Sequence, residues 1–164
     1  MKPKRTIVLG LHLSSRGFGW VLFEYALSLV DWGTADIRGD KKVNTLSRIE
    51  ALLTKHRPAV LTLERHDGIG SARSERIRQL HRAVVKHAET RDIRVQCYSR
   101  VEIGQTRQLN GARTREEVAA AVANCLHVLK PRLPKPRPIW VGERSGMSLF
   151  CAAACALTYF DAEQ

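Results

Sequence analysis

Aliphatic side chains run almost unbroken from Ile7 to Leu13, and a single polar residue, His12, interrupts them. Such a run is how a strand buried on both faces reads. The pattern predicts a first strand over 6–13, a turn at Ser14-Ser15-Arg16-Gly17, a second strand over 18–25 and a third over 27–37. Short strands joined by tight turns make an antiparallel meander. After the polar turn 38–42, Leu46, Ile49 and Leu53 recur at helical spacing. They predict a helix that starts from an Asn44 cap and is ended by Pro58. Residues 59–64 form a fourth, apolar strand that finishes on Glu64. A strand–helix–strand step favours a parallel, right-handed crossover.

Beyond a glycine-rich loop containing His66 and Asp67, Ile77, Leu80, Val84 and Ala88 mark the apolar face of a long helix over 73–90. A fifth strand is predicted over 93–99 and a short helix over 100–109. Thr114 and Glu117 have the spacing of a capping box, opening a helix whose apolar face is Val118, Val122, Cys125, Leu126 and Leu129. The proline-rich basic stretch 130–138 reads as an extended, exposed linker. Residues 147–160 carry no charge and read as a buried helix, too short to span a bilayer. No repeat or domain boundary stands out, so the expectation is one α/β domain over 1–164, a mixed sheet with helices on its faces.

Composition adds a direction. The chain has 164 residues, 44% hydrophobic, with 27 Lys and Arg against 16 Asp and Glu and a net charge of +11. That is enough apolar material for a core, and a basic balance that suits a polyanion, nucleic acid first. The predicted helix over 73–90 concentrates the charge: Arg73, Arg76, Arg78, Arg82 and Lys86 stand on its polar side with few acids among them. With Arg107 they are the candidate phosphate contacts. Cys97, Cys125, Cys151 and Cys155 show no paired spacing, and no signal-like N-terminus precedes them. Reduced thiols in a cytoplasmic protein are expected.

Candidate chemistry starts from His12. A polar side chain inside a buried strand has a partner or a job. Glu64 is a carboxylate that closes the fourth strand. The segment Gly10-Leu11-His12-Leu13-Ser14-Ser15-Arg16-Gly17-Phe18-Gly19-Trp20 resembles the opening motif of the RuvC-type Holliday-junction resolvases, within the ribonuclease-H-like superfamily. Leu61-Thr62-Leu63-Glu64 resembles their fourth strand, which ends in a catalytic Glu. Residues 100–106 and 114–129 resemble the family's segment after strand five, and Met147-Ser148-Leu149-Phe150-Cys151-Ala152-Ala153 resembles the final helix.

The resemblance implies a five-stranded ribonuclease-H-like sheet, strands one to three antiparallel and four and five parallel, flanked by helices. It also implies branched DNA as ligand, with RNA as the alternative, a homodimer, and two Mg²⁺ ions held by carboxylates. Two positions depart from the family pattern. His12 stands where the family has its first Asp, and Cys151 where the last helix has an Asp. A neutral imidazole cannot bridge two Mg²⁺ ions, and thiolate suits softer metals. Glu64 is retained; Glu143 is a candidate second carboxylate, Ser148 matches the helix's earlier acidic position, and Asp161 falls too late.

The expected function is therefore nucleic-acid binding on a resolvase-like scaffold that does not cut. The alternatives are a metal-dependent endonuclease working through Glu64 and Glu143, a Zn²⁺ site made of His12, Glu64 and Cys151, and a non-catalytic protein–protein subunit. Trp20, Trp32 and Trp140 are expected to pack rather than stack on bases.

Overall fold

The computed structural model describes residues 5–65, 74–135 and 146–163. Its sheet has five strands: β1 (Val8–Leu13), β2 (Gly17–Tyr25), β3 (Ser28–Asp36), β4 (Val60–Glu64) and β5 (Arg94–Tyr98). Their order is β3-β2-β1-β4-β5. β1–β2 and β2–β3 are antiparallel, whereas β1–β4 and β4–β5 are parallel. This is the mixed sheet the pattern predicts, with β1 at its centre.

Two helices, α1 (Lys41–His56) and α2 (Glu75–Glu89), cover one face of the sheet. The other face is covered by α4 (Arg115–Cys125) and α5 (Met147–Ala162), with the short α3 (Arg100–Gly104) beside them. Period-two alternation divides β1 cleanly. Leu9, Leu11 and Leu13 enter the α1/α2 core, while Val8 enters the α5 core. Gly10 and His12 share the parity of Val8.

Glycine is what lets α5 lie directly on the sheet. A Cβ on Gly10 would stand 2.5 Å from the Ala152 carbonyl oxygen, and one on Gly19 would stand 2.4 Å from the Ser148 carbonyl carbon. No side chain fits either gap, so the backbone of α5 seats against β1 and β2. The helix is wrapped by protein: every residue from Met147 to Tyr159 is buried. Its lack of charge follows from that burial. No helix among the described residues is long and apolar enough to cross a membrane.

Helix ends account for most of the differences from the sequence pattern. Asp40, not Asn44, caps α1: its side chain accepts the Val43 N–H at 3.0 Å. Asn44 lies inside the helix and donates from Nδ2 to the Arg38 carbonyl. Thr114 does cap α4 by accepting from the Glu117 N–H, but Glu117 turns to the Arg113 N–H, so the box is not reciprocal. The reciprocal box is Ser99 with Glu102, which opens α3. The predicted helix over 100–109 is α3 followed by a separate 3-10 turn, Arg107–Leu109. The start of the expected linker is also ordered: His127–Arg132 is a 3-10 helix with Pro131 inside it. The shorter 3-10 repeat and the burial of Leu129 against the α5 core explain why proline is accommodated there.

Candidate functional site

The polar part of the core gathers on the α5 face, at the C-terminal ends of β1 and β4. His12 is 1% exposed, Thr62 0% and Glu64 9%. His12 lies opposite Gly19 in the β1–β2 ladder. Its Nδ1 stands 3.6 Å from Oε2 of Glu64. The other carboxylate oxygen, Oε1, accepts from Nε of Arg100 at 3.2 Å. Glu64 thus has a nitrogen on each side, one from a buried imidazole and one from a half-exposed guanidinium. The Thr62 hydroxyl is buried with no hydrogen-bond partner among the described residues.

A shallow cleft opens beside Glu64. Arg100, Arg113, Thr114, Arg115, Val118 and Cys151 line it together with the carboxylate. It offers about 30 Å³ for water, enough for one or two molecules. Cys151 and Glu64 therefore share one cleft, and His12 touches Glu64 from beneath. One helical turn deeper, Cys155 is fully buried. Burial pushes its thiol well above the ordinary cysteine value, and the Glu64 carboxylate pushes it further in the same direction. Cys155 is a neutral packing residue. The four cysteines are thiols, with no disulfide among them.

A pair of Mg²⁺ ions, as the family resemblance implies, needs hard anionic oxygens. The described residues at the cleft supply one carboxylate, one imidazole and one thiol, and the carboxylate already holds an arginine. That donor set does not fit two Mg²⁺. Nor does any group of three His, Cys, Asp or Glu side chains among the described residues stand close enough to hold a metal ion, so the zinc set His12–Glu64–Cys151 is not assembled. Ser148 is buried against Gly19. Glu143, His66, Asp67, Arg73 and Trp140 lie outside the described residues.

The predicted phosphate contacts are dispersed. Arg76 stands at the same end of the sheet as the cleft, its Nη2 donating to the Ser15 carbonyl at 3.4 Å in the β1–β2 turn. Arg82 and Lys86 follow it down the exposed side of α2, away from the cleft. Arg78 is half-buried, and both Arg78 and Arg82 pair with Glu75. Arg107 is elsewhere. It pairs with Asp161 near the far end of α5, roughly 15 Å along that helix from Cys151 at about 1.5 Å per residue. Trp20 and Trp32 are half-buried packing residues, and Trp20 faces the His56 ring at 6.1 Å.

Sequence reasoning missed Arg100, Arg113 and Arg115. For Arg100 and Arg115 the sequence holds a partial signal. Arg100 is the first residue of α3 and Arg115 the first of α4. Cations are disfavoured at helix N-termini, where the backbone already presents positive partial charge. Lys41 and Lys42 open α1 in the same way, so the signal does not by itself single out the cleft.

No family model matches the chain, and no curated protein sequence matches it. Solved structures do. Thermus thermophilus RuvC in complex with a Holliday junction substrate superposes with a TM-score of 0.68 at 22% identity, over 96% of this chain and 94% of that one. A second Thermus thermophilus RuvC structure gives 0.63 at 23% identity, over 96% and 95%. Sheet order, strand directions and the helix laid across β1 agree with the resemblance carried by the sequence motifs, and the fold of this chain is the RuvC-type, ribonuclease-H-like fold.

Proposed function

We propose that this chain is a nucleic-acid-binding protein that recognises branched or otherwise structured DNA and lacks two-metal phosphodiester hydrolysis. The observation that carries the proposal is the surroundings of Glu64: the buried His12 imidazole contacts one carboxylate oxygen, Arg100 holds the other, and Cys151 lines the same cleft, with His12 and Cys151 at positions where the sequence resemblance expects acids. The ligand class is supported by a net charge of +11, by arginines converging on the cleft, and by the similarity of the fold to a protein solved on a Holliday junction. The proposal includes a single domain over 1–164 acting as a homodimer, which light scattering of the purified protein tests.

Binding and cutting are separated by one set of substrates. A four-way junction, a linear duplex and a single strand are titrated with protein, and the same substrates are incubated with Mg²⁺ or Mn²⁺. The expected result is junction binding that weakens steeply with salt, as phosphate contacts require, and no cleavage. Absence of binding at low salt overturns the proposal. Metal-dependent cleavage by the unaltered chain replaces it with the endonuclease alternative, in which Glu64 acts with Glu143. The double variant His12→Asp, Cys151→Asp then identifies the altered positions: gain of metal-dependent cutting assigns the lost chemistry to them.

A further inference from the structure

The pairing of Arg100 with Glu64 has a meaning beyond neutralising one acid. A carboxylate has two oxygens, and both of this one face nitrogen: Nε of Arg100 at 3.2 Å and Nδ1 of His12 at 3.6 Å. The Glu64 side chain is 11% exposed, so its charge is poorly reached by water, whereas the Arg100 side chain is 56% exposed. A guanidinium carries five N–H donors in a planar fork, and one of them is committed to Glu64. The remainder of the group belongs to a cleft that Arg113 and Arg115 also line. Arg100 is anchored by an acid below and borders the open cleft above. That is the electrostatic arrangement a divalent cation has when it bridges a protein carboxylate and a phosphate oxygen.

We propose that Arg100 is a resident cation: its guanidinium stands in the cleft in place of a divalent metal, closes Glu64 to metal binding, and gives the cleft an anion-binding capacity that needs no metal. The inference rests on the nucleic-acid reading above for the identity of the anion, a phosphodiester, and on the geometry of Glu64 alone for the exclusion of metal. Lysine would supply a charge at this place but not a planar fork, so Arg100 and a lysine are not equivalent for phosphate. Both exclude a metal by charge.

Two measurements test it, and they fail separately. The first uses no DNA. Mn²⁺ binding to the protein is followed by loss of the free-ion electron paramagnetic resonance signal in wild type, Arg100→Gln, Arg100→Lys, Glu64→Gln and the double variant Glu64→Gln, Arg100→Gln. The expected result is that Arg100→Gln binds Mn²⁺ about tenfold more tightly than wild type, that Arg100→Lys stays near wild type, and that the double variant loses the gain. An affinity unchanged by Arg100→Gln overturns the proposal, as does wild-type binding that Glu64→Gln abolishes. Arg100 opens a short helix at the surface, and circular dichroism of each variant establishes that it is folded. The second measurement is fluorescence anisotropy of a labelled four-way junction at fixed ionic strength. Wild-type affinity is expected to be the same in EDTA and in Mg²⁺, and Arg100→Gln to lose affinity in EDTA. Affinity that requires Mg²⁺ overturns the proposal. Absence of any junction binding removes the DNA reading and leaves the Mn²⁺ result to decide the role of Arg100.

Discussion

On the α1/α2 side of the sheet, β1 and β4 present Leu9, Leu11, Leu13, Leu61 and Leu63; towards α5 the same two strands turn Val8, Gly10, His12, Val60, Thr62 and Glu64. One side is an ordinary aliphatic core under two amphipathic helices. The other combines a charge-free helix, two glycines that admit its backbone, and a buried imidazole and carboxylate. Alternation puts these two populations one residue apart in the sequence. Both sides bury an apolar cluster, and the buried imidazole–carboxylate pair lies on the α5 side.

The comparison breaks most visibly under changes of volume. Leu61, fully buried on the α1/α2 side, is expected to cost about 2–5 kcal/mol when replaced by Ala, because the cavity cannot collapse against neighbouring strands. The α5 side responds in the opposite sense: it is harmed by addition. Gly10→Ala places a methyl 2.5 Å from the Ala152 carbonyl oxygen and is expected to cost about 1–3 kcal/mol as α5 is pushed off the sheet. Urea denaturation of both variants reads the two numbers. A Gly10→Ala variant as stable as wild type would show that α5 has slack against β1, and the contrast between the sides would fail.

Ionisation distinguishes the sides next. Tyr98 belongs to the α5 core, and burial, reinforced by Glu163, pushes its phenol up from 10.0 to about 12. The unfolded chain ionises first, so the folded state is favoured in full below pH 10 and loses that advantage as pH rises towards 12. The loss is about 1.4 kcal/mol for each pH unit in that window. Cys155, raised in the same direction, adds to it from about pH 9 upward. Tyr98→Phe is expected to lose less stability than wild type between about pH 8 and pH 11. Equal losses would mean that the Tyr98 hydroxyl titrates as though in water.

The sequence made the architecture legible because every strand and the charge-free helix is written in hydrophobic periodicity, which tertiary packing then reinforces. Helix starts were harder. Asp40 and Asn44 are both good caps, and only the three-dimensional turn after β3 decides between them. His12 was visible as a break in an apolar run, and Glu64 as a carboxylate closing one. Arg100 was not, because its significance lies in a contact with a residue on another element, and residue spacing carries no signal for that contact. The stripe on α2 was legible as a stripe but not as to place: a helix wheel shows that Arg76, Arg82 and Lys86 share a side, and only the packing of α2 shows that this side descends away from the cleft.

The smallest effects on stability come from that stripe, and they sharpen the comparison furthest. Arg82 and Glu75 form an exposed pair at 3.1 Å, with side chains 60% and 62% exposed, so Arg82→Gln with Lys86→Gln is expected to change stability by less than about 0.5 kcal/mol. Their effect is on binding. If α2 grips phosphates without reading shape, the double variant weakens junction and duplex alike and lowers the slope of log affinity against log salt by about 0.9 for each phosphate no longer neutralised. Arg113→Gln, in the cleft, is expected instead to weaken the junction more than the duplex, since a concave site beside Glu64 reaches only backbone that is bent into it. Anisotropy titrations on both substrates across a salt series separate the two behaviours. The reverse assignment, with the junction preference lost from the α2 variant and kept by Arg113→Gln, would move the specific surface to the α1/α2 side and leave the polar cluster under α5 without a role in recognition.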